Sequence, residues 1–387
     1  MTEKQWPPLQ IAQLSTGDDF IDFGIGQPGV SLLPLELLRR AAAERLQQPE
    51  RAILQYGAEA GDGYFRLALA DFLSDGYGVP VLPEQLFITN GVSQALDLIC
   101  TLFTRPGDVV FVEEPTYFLA LHLFADHGLQ VVGLPTDEHG LVTNALAEKL
   151  KWQRPVFLYT IPSFQNPAGW TLPESRRQRL VSLSQEYGFT IVADEVYHLL
   201  SYMNAPPAPL AHYGDGETVI SLGSFSKILA PGLRLGWIEA SPPIVERLSN
   251  TGLLQSGGGL NPFTSAIVRS VLEKGWQQQH LEQLRTTYSR RAAALAAALR
   301  RHFAAAASFS EPEGGFFIWL TLPEEVDTSD LLPLAQAQKV GFRPGVNFSC
   351  QGKARNSLRL CFAFYDTPTL EAGAAGLADA YQDYNRN

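Results

Sequence analysis

Seven short β-rich segments alternate with helical patterns between about residues 60 and 240, and this alternation limits the possible folds of the 387-residue chain more than any other feature. Short apolar strands separated by helices form crossover units, which build a mainly parallel sheet with helices on both faces. The sequence therefore predicts an α/β fold. The predicted strands are residues 86–89, 109–112, 130–134, 156–160, 190–193, 219–221 and 235–239.

The two ends of the chain predict smaller units beside this sheet. Amphipathic spacing predicts a helix over residues 35–47, and an Ala-rich run predicts another over 281–307, with Arg290 and Arg291 facing solvent. Residues 316–320 and 358–362 predict strands. We expect residues 1–50 to form an N-terminal arm and part of a small domain, 51–285 a large domain with a seven-stranded sheet, and 286–387 a smaller α+β domain.

Composition and charge argue against several classes of function. The net charge of −11 and pI of about 5.2 predict no attraction to nucleic acid or anionic membrane lipid. We find no membrane-spanning apolar run and no signal peptide, and the three cysteines fit buried thiols in a reducing compartment. Metal-ligand spacing and the glycine-rich patterns of NAD- and ATP-binding loops are absent. We expect a soluble cytoplasmic protein without a metal.

Lys227 lies just after a predicted strand, among small and apolar residues, with Ser224 and Ser226 before it and Arg234 seven residues later. A lysine is most often a solvated surface group, but scarce water lowers the pKa of an amine and makes it a usable nucleophile. The neighbouring hydroxyls and the guanidinium suit a phosphate group. The segment therefore indicates a reactive lysine beside an anion site.

Three further segments follow predicted strands, at the edge where open α/β sheets bind ligands. Gly91, Ser93 and Gln94 lie at the start of a helix, where free N–H groups favour phosphate; an ordinary serine N-cap is the alternative. Asn166 lies in a Pro/Gly turn of a common kind. Asp194 follows the strand at 190–193, where an acid that caps a helix is common.

Arg359 is the one charged residue in the predicted strand at 358–362. Because a buried lone charge is costly, we expect an anionic partner for it. That partner is either a structural carboxylate or a ligand.

Taken together, these segments resemble the fold-type I aminotransferases of class I and II, in the family's order along almost the whole chain. The specific signature is Ser-x-Ser-Lys-x-x-x-Pro-Gly-x-Arg-x-Gly, from Ser224 to Gly236. The resemblance implies the fold of these pyridoxal-phosphate (PLP) transferases, with Lys227 holding PLP as a Schiff base and transferring protons. The sequence is similar above all to the 2-aminoadipate-type and MocR-like subgroup.

The resemblance also implies roles for individual residues. Asp194 is expected to pair with the pyridinium nitrogen of the cofactor and Tyr117 to stack on its ring. Tyr197 and Asn166 are expected to hydrogen-bond its phenolic oxygen. The remaining expected contacts are with the cofactor phosphate (Gly91, Ser93, Gln94, Ser224, Ser226, Arg234 and the partner subunit's Tyr56), the substrate carboxylate (Arg359 and Asn166) and the substrate pocket (Gly26, Gln27, Gly315 and Phe316).

The implied protein is a homodimer with shared active sites, with Tyr56 and Asn261 near the interface. The implied reaction transfers an amino group from an L-amino acid to a 2-oxo acid, such as 2-oxoglutarate, by a ping-pong mechanism. The arm around Gln27 offers no arginine for a distal carboxylate, which favours a neutral or aromatic substrate side chain. Arg343 and Arg66 are the candidates that could compensate.

Two other functions are compatible with the same resemblance. The same cofactor contacts serve β-elimination, decarboxylation and cyclisation of amino acids, because the bond that breaks depends on substrate orientation. Some transcription regulators carry an aminotransferase-like module behind a DNA-binding domain. The resemblance begins near Ile21 and the chain is acidic, so we expect an enzyme rather than a ligand-sensing regulator.

Overall fold

The computed structural model describes residues 19–214 and 217–386, so the first 18 residues of the predicted arm lie outside the described residues. The strands are β1 (Ile21–Asp22), β2 (Leu86–Thr89), β3 (Val109–Glu114), β4 (Gln130–Asp137), β5 (Gly140–Leu141), β6 (Phe157–Thr160), β7 (Thr190–Asp194), β8 (Val219–Ser224), β9 (Gly236–Ala240), β10 (Phe317–Thr321), β11 (Val340–Gly341), β12 (Arg343–Pro344) and β13 (Ser357–Cys361). The helices are α1 (Leu35–Gln47), α2 (Gly63–Tyr77), α3 (Val92–Phe103), α4 (Phe118–Asp126), α5 (Thr143–Leu150), α6 (Glu174–Tyr187), α7 (Pro242–Ser249), α8 (Gly252–Gly257), α9 (Pro262–Glu273), α10 (Trp276–Phe303), α11 (Thr328–Ala337) and α12 (Thr367–Arg386).

The large sheet has the strand order β2-β9-β8-β7-β6-β3-β4-β5. Strands β4, β3, β6, β7 and β8 are parallel to one another, whereas β9 is antiparallel to both β8 and β2. The predicted α/β fold with a mainly parallel sheet is confirmed, and all seven predicted strands are present. An eighth strand, β5, extends the edge by folding back on β4; with two residues it is too short to leave an apolar pattern in the sequence.

The strands of this sheet are apolar on both faces because helices cover both faces. Leu158 and Ile191 face a cluster formed with α5 and α6, whereas the adjacent Tyr159 and Val192 face a larger cluster formed with α3 and α4. Successive side chains of a strand point to opposite faces, so each strand contributes to both cores. This burial explains the near-continuous apolar runs in the sequence.

Local signals in the sequence fix where α2 begins and ends. The Asp62 carboxylate accepts a hydrogen bond from the Phe65 amide at 2.8 Å, which satisfies one of the free N–H groups of the first turn. The helix ends at Gly78, whose φ of 70° is left-handed and carries little penalty without a side chain. Asp62 therefore marks the start of the helix and Gly78 its end.

Helix α10 differs from its prediction at both ends and on one face, and it ends at Phe303 rather than at residue 307. The helix begins at Trp276 rather than near residue 281. The sequence did not indicate this start because the first turns bury polar side chains, among them Gln277 and His280, and show little apolar periodicity. Arg291 was predicted to face solvent and this was wrong: it is 5% exposed and donates to the carbonyl oxygen of Ala363. An Ala-rich helix gives a weak indication of which face is buried.

A second, three-stranded antiparallel sheet has the order β10-β13-β12, and its two main strands lie within one residue of their predictions. In this sheet Arg359 is directly opposite both Trp319 on β10 and Arg343 on β12. Strand β1 pairs in parallel with β11, which joins the N-terminal segment to the C-terminal part. The division at residues 50 and 285 stays a prediction, and α10 runs through the second of these positions.

Candidate active site

The carboxyl ends of four parallel strands bring the predicted site segments together. Tyr117 follows β3, Asn166 lies in the turn after β6, Asp194 is the last residue of β7, and Lys227 follows β8. Neighbouring parallel strands end at the same edge of a sheet, so residues far apart in sequence meet there. This edge is the one that the sequence predicted for ligand binding.

Lys227 lies in the turn after β8, with its amine enclosed by backbone and aromatic rings. Its Nζ donates to the carbonyl oxygen of Gly26 at 2.8 Å and lies 5.6 Å from the ring centroid of Phe316 and 6.0 Å from that of Tyr197. Burial lowers the pKa of Lys227 from 10.5 to about 8, although Asp194 acts in the opposite direction. The amine therefore becomes neutral, and nucleophilic, at a lower pH than that of a surface lysine.

Asp194 is a buried carboxylate held at the end of β7. Its Oδ2 accepts a hydrogen bond from the Tyr159 hydroxyl at 2.8 Å, and its Oδ1 accepts one from the Val196 amide at 3.4 Å. Burial raises the pKa of Asp194 to about 6, and these hydrogen bonds limit the rise. A buried acid with this environment would gain stability from a cationic ring nitrogen.

Tyr159 is a site residue that the sequence analysis missed. It lies inside β6, where an aromatic residue among apolar neighbours indicates only a core position. The residue is fully buried, but its hydroxyl is directed to the end of the neighbouring strand. The contact between Tyr159 and Asp194 depends on the register of β6 on β7, in which Thr160 is opposite Ala193, and the sequence does not show this register.

Serine hydroxyls and Arg234 lie beside the N-terminus of α3, as the sequence predicted for a phosphate site. The Ser224 hydroxyl contacts both the amide (3.0 Å) and the hydroxyl (2.9 Å) of Ser226. Ser224 is opposite Gly236 in the sheet, and a Cβ on Gly236 would lie 2.9 Å from Gly91 Cα. The sheet register therefore brings the turn before Lys227 next to the start of α3.

Gly91 is the N-cap of α3 and has little space for a side chain. Its φ is 92°, and a Cβ at this position would lie 2.9 Å from Nη2 of Arg234, which donates to the Asn90 carbonyl oxygen. Ser93 does not cap the helix, because α3 has no side-chain N-cap hydrogen bond, and Gln94 Oε1 accepts from the Asn90 amide instead. The first-turn N–H groups next to Arg234 therefore remain free of side-chain caps, which suits an anion.

Arg359 is a buried cation with an incomplete set of partners. Nη1 donates to Oδ1 of Asn166 at 2.9 Å and Nη2 to the carbonyl oxygen of Gly24 at 2.8 Å, while Nε is buried and has no partner among the described residues. The guanidinium stacks on Phe317 at 4.2 Å. Burial lowers the pKa of Arg359, and no described carboxylate forms an ion pair with it. The partner of Arg359 is therefore not a structural carboxylate of the described chain, and the buried guanidinium still requires an anion.

The N-terminal arm closes one side of the pocket through its backbone. Carbonyl oxygens of Gly24 and Gly26 accept hydrogen bonds from Arg359 and Lys227, respectively. A Cβ on Gly26 would lie 3.3 Å from the Phe317 ring, and the half-buried Gln27 follows it. The arm therefore contacts both cationic groups of the pocket through its backbone carbonyl oxygens.

Aromatic side chains line the rest of the pocket. Tyr197 is 3% exposed, with its ring 5.4 Å from that of Phe316, and Tyr117 lies at the start of α4. Burial raises the pKa of Tyr117 to about 12 and holds the pKa of Tyr197 well above its ordinary value, so both hydroxyls stay protonated at neutral pH. Gly315, beside Phe316, has a φ of 70° and accepts a hydrogen bond from the Tyr202 hydroxyl.

Of three further predicted residues, Asn261 lies beside the proposed phosphate site, whereas Tyr56 and Arg66 form no hydrogen bond with the pocket residues within the described chain. Tyr56 is 82% exposed. Asn261 donates to the carbonyl oxygen of Leu233, next to Arg234. Arg66 donates to the carbonyl oxygens of Pro83 and Leu86 and does not reach the pocket.

Behind the pocket, Glu113 anchors the turn that carries Asn166. Its Oε1 accepts from the Thr160 hydroxyl at 2.5 Å, and its Oε2 accepts from the Ile161 amide and the Gln165 side chain, both at 3.2 Å. Burial raises the pKa of Glu113 to about 7. The sequence analysis missed this residue because an acid at the end of a predicted strand normally indicates an exposed position.

Glu195 and His198 lie side by side in a buried network, with Nδ1 of His198 3.4 Å from Oε2 of Glu195. The Glu195 carboxylate accepts from the Leu210 amide at 3.0 Å and lies 3.8 Å from Nη1 of Arg177. Arg177 is fully buried and donates to the Pro162 carbonyl oxygen and the Ser163 hydroxyl. This network therefore holds the start of the turn that carries Asn166.

The described residues contain neither a candidate metal site nor a candidate membrane-spanning helix. No group of three or more His, Cys, Asp or Glu side chains in the described part of the chain has a geometry that could hold a metal ion. Across residues 19–214 and 217–386, no helix combines the length and the apolar character that crossing a bilayer requires.

Comparisons with known proteins identify the relatives of this chain. The family model "aminotransferase class I and II" matches residues 18–377. An aromatic-amino-acid aminotransferase of Thermococcus litoralis is 35% identical over 97% of this chain and 91% of its own length. A 2-aminoadipate transaminase of Thermus thermophilus is 33% identical over 96% and 92%, respectively. The crystal structure of a Pyrococcus horikoshii kynurenine aminotransferase in complex with PMP has a TM-score of 0.89 and 34% identity, over 95% of this chain and 92% of that one.

Proposed function

The chain belongs to the class I and II aminotransferase family, and from this premise we propose which of its residues perform the amino-group transfer. The protein is a PLP-dependent aminotransferase that moves an amino group from an amino acid to a 2-oxo acid. Several residues of the pocket divide this work, and a homodimer completes the pocket.

The residues of the pocket fit PLP at each of its functional groups. The uncapped start of α3, Ser224, Ser226 and Arg234 offer donors for the phosphate. Asp194 offers a buried carboxylate to the ring nitrogen. We assign Tyr197 and Asn166 to the phenolic oxygen and Tyr117 to the face of the ring.

When bound, PLP supplies an electron sink that weakens the bonds at the substrate Cα and carries the amino group between the two half-reactions. Lys227 Nζ first holds the cofactor and then, once released, accepts the proton from the substrate Cα. Its lowered pKa suits both tasks, because the neutral amine is the nucleophile and the base. Contact with the Gly26 carbonyl oxygen orients the amine toward the arm side of the pocket.

Asp194 keeps the ring nitrogen protonated in this proposal. An ionised carboxylate beside a cationic nitrogen stabilises the cation, and the hydrogen bond from Tyr159 favours the ionised form of Asp194. Tyr159 is therefore a positioning residue, because it acts on the cofactor through Asp194.

Arg359 and Asn166 are proposed to bind the α-carboxylate of the substrate. The unpartnered Nε and the adjacent Nη2 of Arg359, which has a second N–H besides the one bound to Gly24, can donate two parallel hydrogen bonds to a carboxylate. The Asn166 side chain already contacts the guanidinium and fixes its orientation. An incoming carboxylate would complete the set of partners that the buried cation lacks.

A homodimer with shared active sites is part of the proposal. Large apolar side chains are exposed on two segments that the bridge between Gly57 and Gly259 brings together: Leu54, Tyr56, Leu253 and Phe263. A patch of this kind on neighbouring segments supports a protein–protein interface. Tyr56 would then reach the cofactor phosphate of the partner subunit. The cytoplasmic location stays a prediction from the sequence.

The observation that carries the proposal is one pocket that joins a lysine of lowered pKa to a buried arginine without a carboxylate partner. Purified protein with PLP is mixed with single amino acids, and the visible absorbance of the lysine-bound cofactor is followed. We expect that absorbance to disappear with a donor amino acid and to return with a 2-oxo acid. Release of ammonia or carbon dioxide without an added oxo acid would instead favour a lyase or decarboxylase.

A further inference from the structure

Arg343 lies directly beside the proposed carboxylate-binding arginine, on the adjacent strand. In the antiparallel pair β12–β13, Arg343 is opposite Arg359. Residues directly opposite each other in such a pair point to the same face of the sheet. The two side chains therefore project toward the same side, which is the side of the pocket.

Two contacts show that both guanidinium groups remain near the pocket rather than diverging. The Arg359 guanidinium lies 6.0 Å, and that of Arg343 5.7 Å, from the ring centroid of Phe118, the residue after Tyr117. A Cβ on Gly24 would lie 3.2 Å from Nε of Arg343, and the carbonyl oxygen of Gly24 accepts from Arg359. The same ring and the same arm residue thus contact both arginines.

The charge of Arg343 is not neutralised within the described chain. Arg343 forms no ion pair or side-chain hydrogen bond with residues 19–214 or 217–386, and its side chain is exposed. The nearby Asp22 carboxylate is directed instead to the Gly24 amide, at 2.7 Å. Arg343 also lowers the pKa of Arg359, after the larger effect of burial, which indicates mutual repulsion between the two cations.

Two like charges on one face of a sheet, with no anion between them, favour a ligand that carries two anionic groups. We propose that Arg343 determines substrate specificity by binding the distal carboxylate of a dicarboxylic substrate, while Arg359 binds the α-carboxylate. The substrate class is the dicarboxylic 2-oxo acid that accepts the amino group. This inference rests on the proposed roles of Lys227 and Arg359.

Arg343 supplies the charge that the sequence analysis found missing from the arm around Gln27. Arg66, the other candidate named there, is held by the backbone of Pro83 and Leu86. A neutral or aromatic amino donor and a dicarboxylic acceptor occupy one pocket in turn, because the reaction is ping-pong. Because Arg343 is exposed, its long side chain can turn toward solvent and leave the distal position free for the neutral donor.

The test compares two acceptors that differ in the distal carboxylate, 2-oxoglutarate and pyruvate. We expect the kcat/KM ratio of 2-oxoglutarate to pyruvate to fall by about 10- to 100-fold in Arg343→Gln, mainly through KM, since the contact exists before and during the chemical step. Arg343→Lys should restore part of the ratio because it keeps the charge without the forked donors. Arg66→Gln is the matched control and should leave the ratio unchanged.

A second readout uses binding to the intact PLP-loaded enzyme without turnover. Glutarate has two carboxylates and butyrate one, and neither has an oxo group to react. We expect glutarate, but not butyrate, to bind about 10-fold or more weakly to Arg343→Gln in a calorimetric titration. An equal loss for both ligands, or an unchanged acceptor ratio, would overturn the role of Arg343. Failure of the proposed function gives a different result from failure of the Arg343 role. In that case no amino acid would change the absorbance of the cofactor bound to the wild-type enzyme.

Discussion

The lowered pKa of Lys227 has a consequence that can be measured in the cofactor-free protein. Covalent capture of PLP needs the neutral amine, so its rate should increase with pH around a pKa of about 8. Stopped-flow absorbance after mixing the cofactor-free protein with PLP at a series of pH values gives this profile. A midpoint near 10.5, the ordinary lysine value, would contradict the enclosed position of the amine.

The substitution Tyr159→Phe removes one hydrogen bond to Asp194 and keeps the buried ring. That hydrogen bond lowers the pKa of the carboxyl, so its loss should raise the pKa. The acid limb of the pH profile of kcat/KM should therefore move to higher pH, by about one unit.

Tyr288→Phe is the control for this prediction. The Tyr288 hydroxyl is buried and has no hydrogen-bond partner among the described residues, while its ring packs on Phe316 at 5.0 Å. Its removal should leave the acid limb where it is. An equal shift in both variants would show that Tyr159 acts by packing alone.

The residues that could be predicted from the sequence are those whose chemistry is unusual for their local pattern. Lys227 among small residues, Asp194 after a strand and Arg359 in an apolar strand are of this kind, and the order of the motifs strengthened each one. Tyr159 and Glu113 could not be predicted, because a polar residue in or at the end of a buried strand gives no sign of its partner. Their partners depend on strand register, which the sequence does not specify.

At the scale of elements, the turn between β6 and α6 depends on Arg177. This side chain donates to the carbonyl oxygens of Pro162 and Leu172 and lies beside Glu195. Arg177→Met would leave Glu195 as a buried acid without its cation, at a cost of about 3–5 kcal/mol in the free energy of unfolding. Urea denaturation followed by circular dichroism measures this loss.

Arg179→Met is the matched control on the same helix. Arg179 is about half exposed and its contact with Glu186 is at the limit of an ion pair, at 4.0 Å. Exposed pairs of this kind contribute about 0–1 kcal/mol. Equal stability of the two variants would contradict the structural role given to Arg177.

The elements themselves were mostly predictable, because helix α1 and the large-sheet strands have strong apolar patterns. The pairing of β12 with β13 was not, because a two-residue strand has no periodicity. That pairing puts Arg343 opposite Arg359 and is the basis of the specificity proposal. The sequence shows that residue 343 is an arginine, but it does not show that this arginine lies on the same sheet face as Arg359.

At the scale of the whole molecule, shared active sites can be tested by mixing defective subunits. Tyr56→Ala and Lys227→Ala each damage a different part of the site, and in the proposed dimer these parts come from different chains. Unfolding and refolding equal amounts of the two variants together gives mixed dimers for about half of the molecules. Each mixed dimer has one intact site and one doubly damaged site, so about a quarter of wild-type activity should return. Each variant refolded alone is the control, and no recovery on mixing would contradict shared sites.

The fold was predictable from the sequence, whereas the dimer was suggested only by the family resemblance. Exposed Leu54 and Phe263 are apolar residues that composition alone cannot distinguish from core residues. Their exposure in a single chain is the physical reason to expect a partner.

The most direct test of the central claim is the identification of the lysine that holds the cofactor. Borohydride converts a lysine–PLP linkage into a stable secondary amine, and peptide mass spectrometry then locates the added phosphopyridoxyl group. We predict that this group is found on Lys227 and on no other lysine, and that Lys227→Ala carries none. A modification at another lysine, or an unmodified Lys227 in active enzyme, would contradict the account.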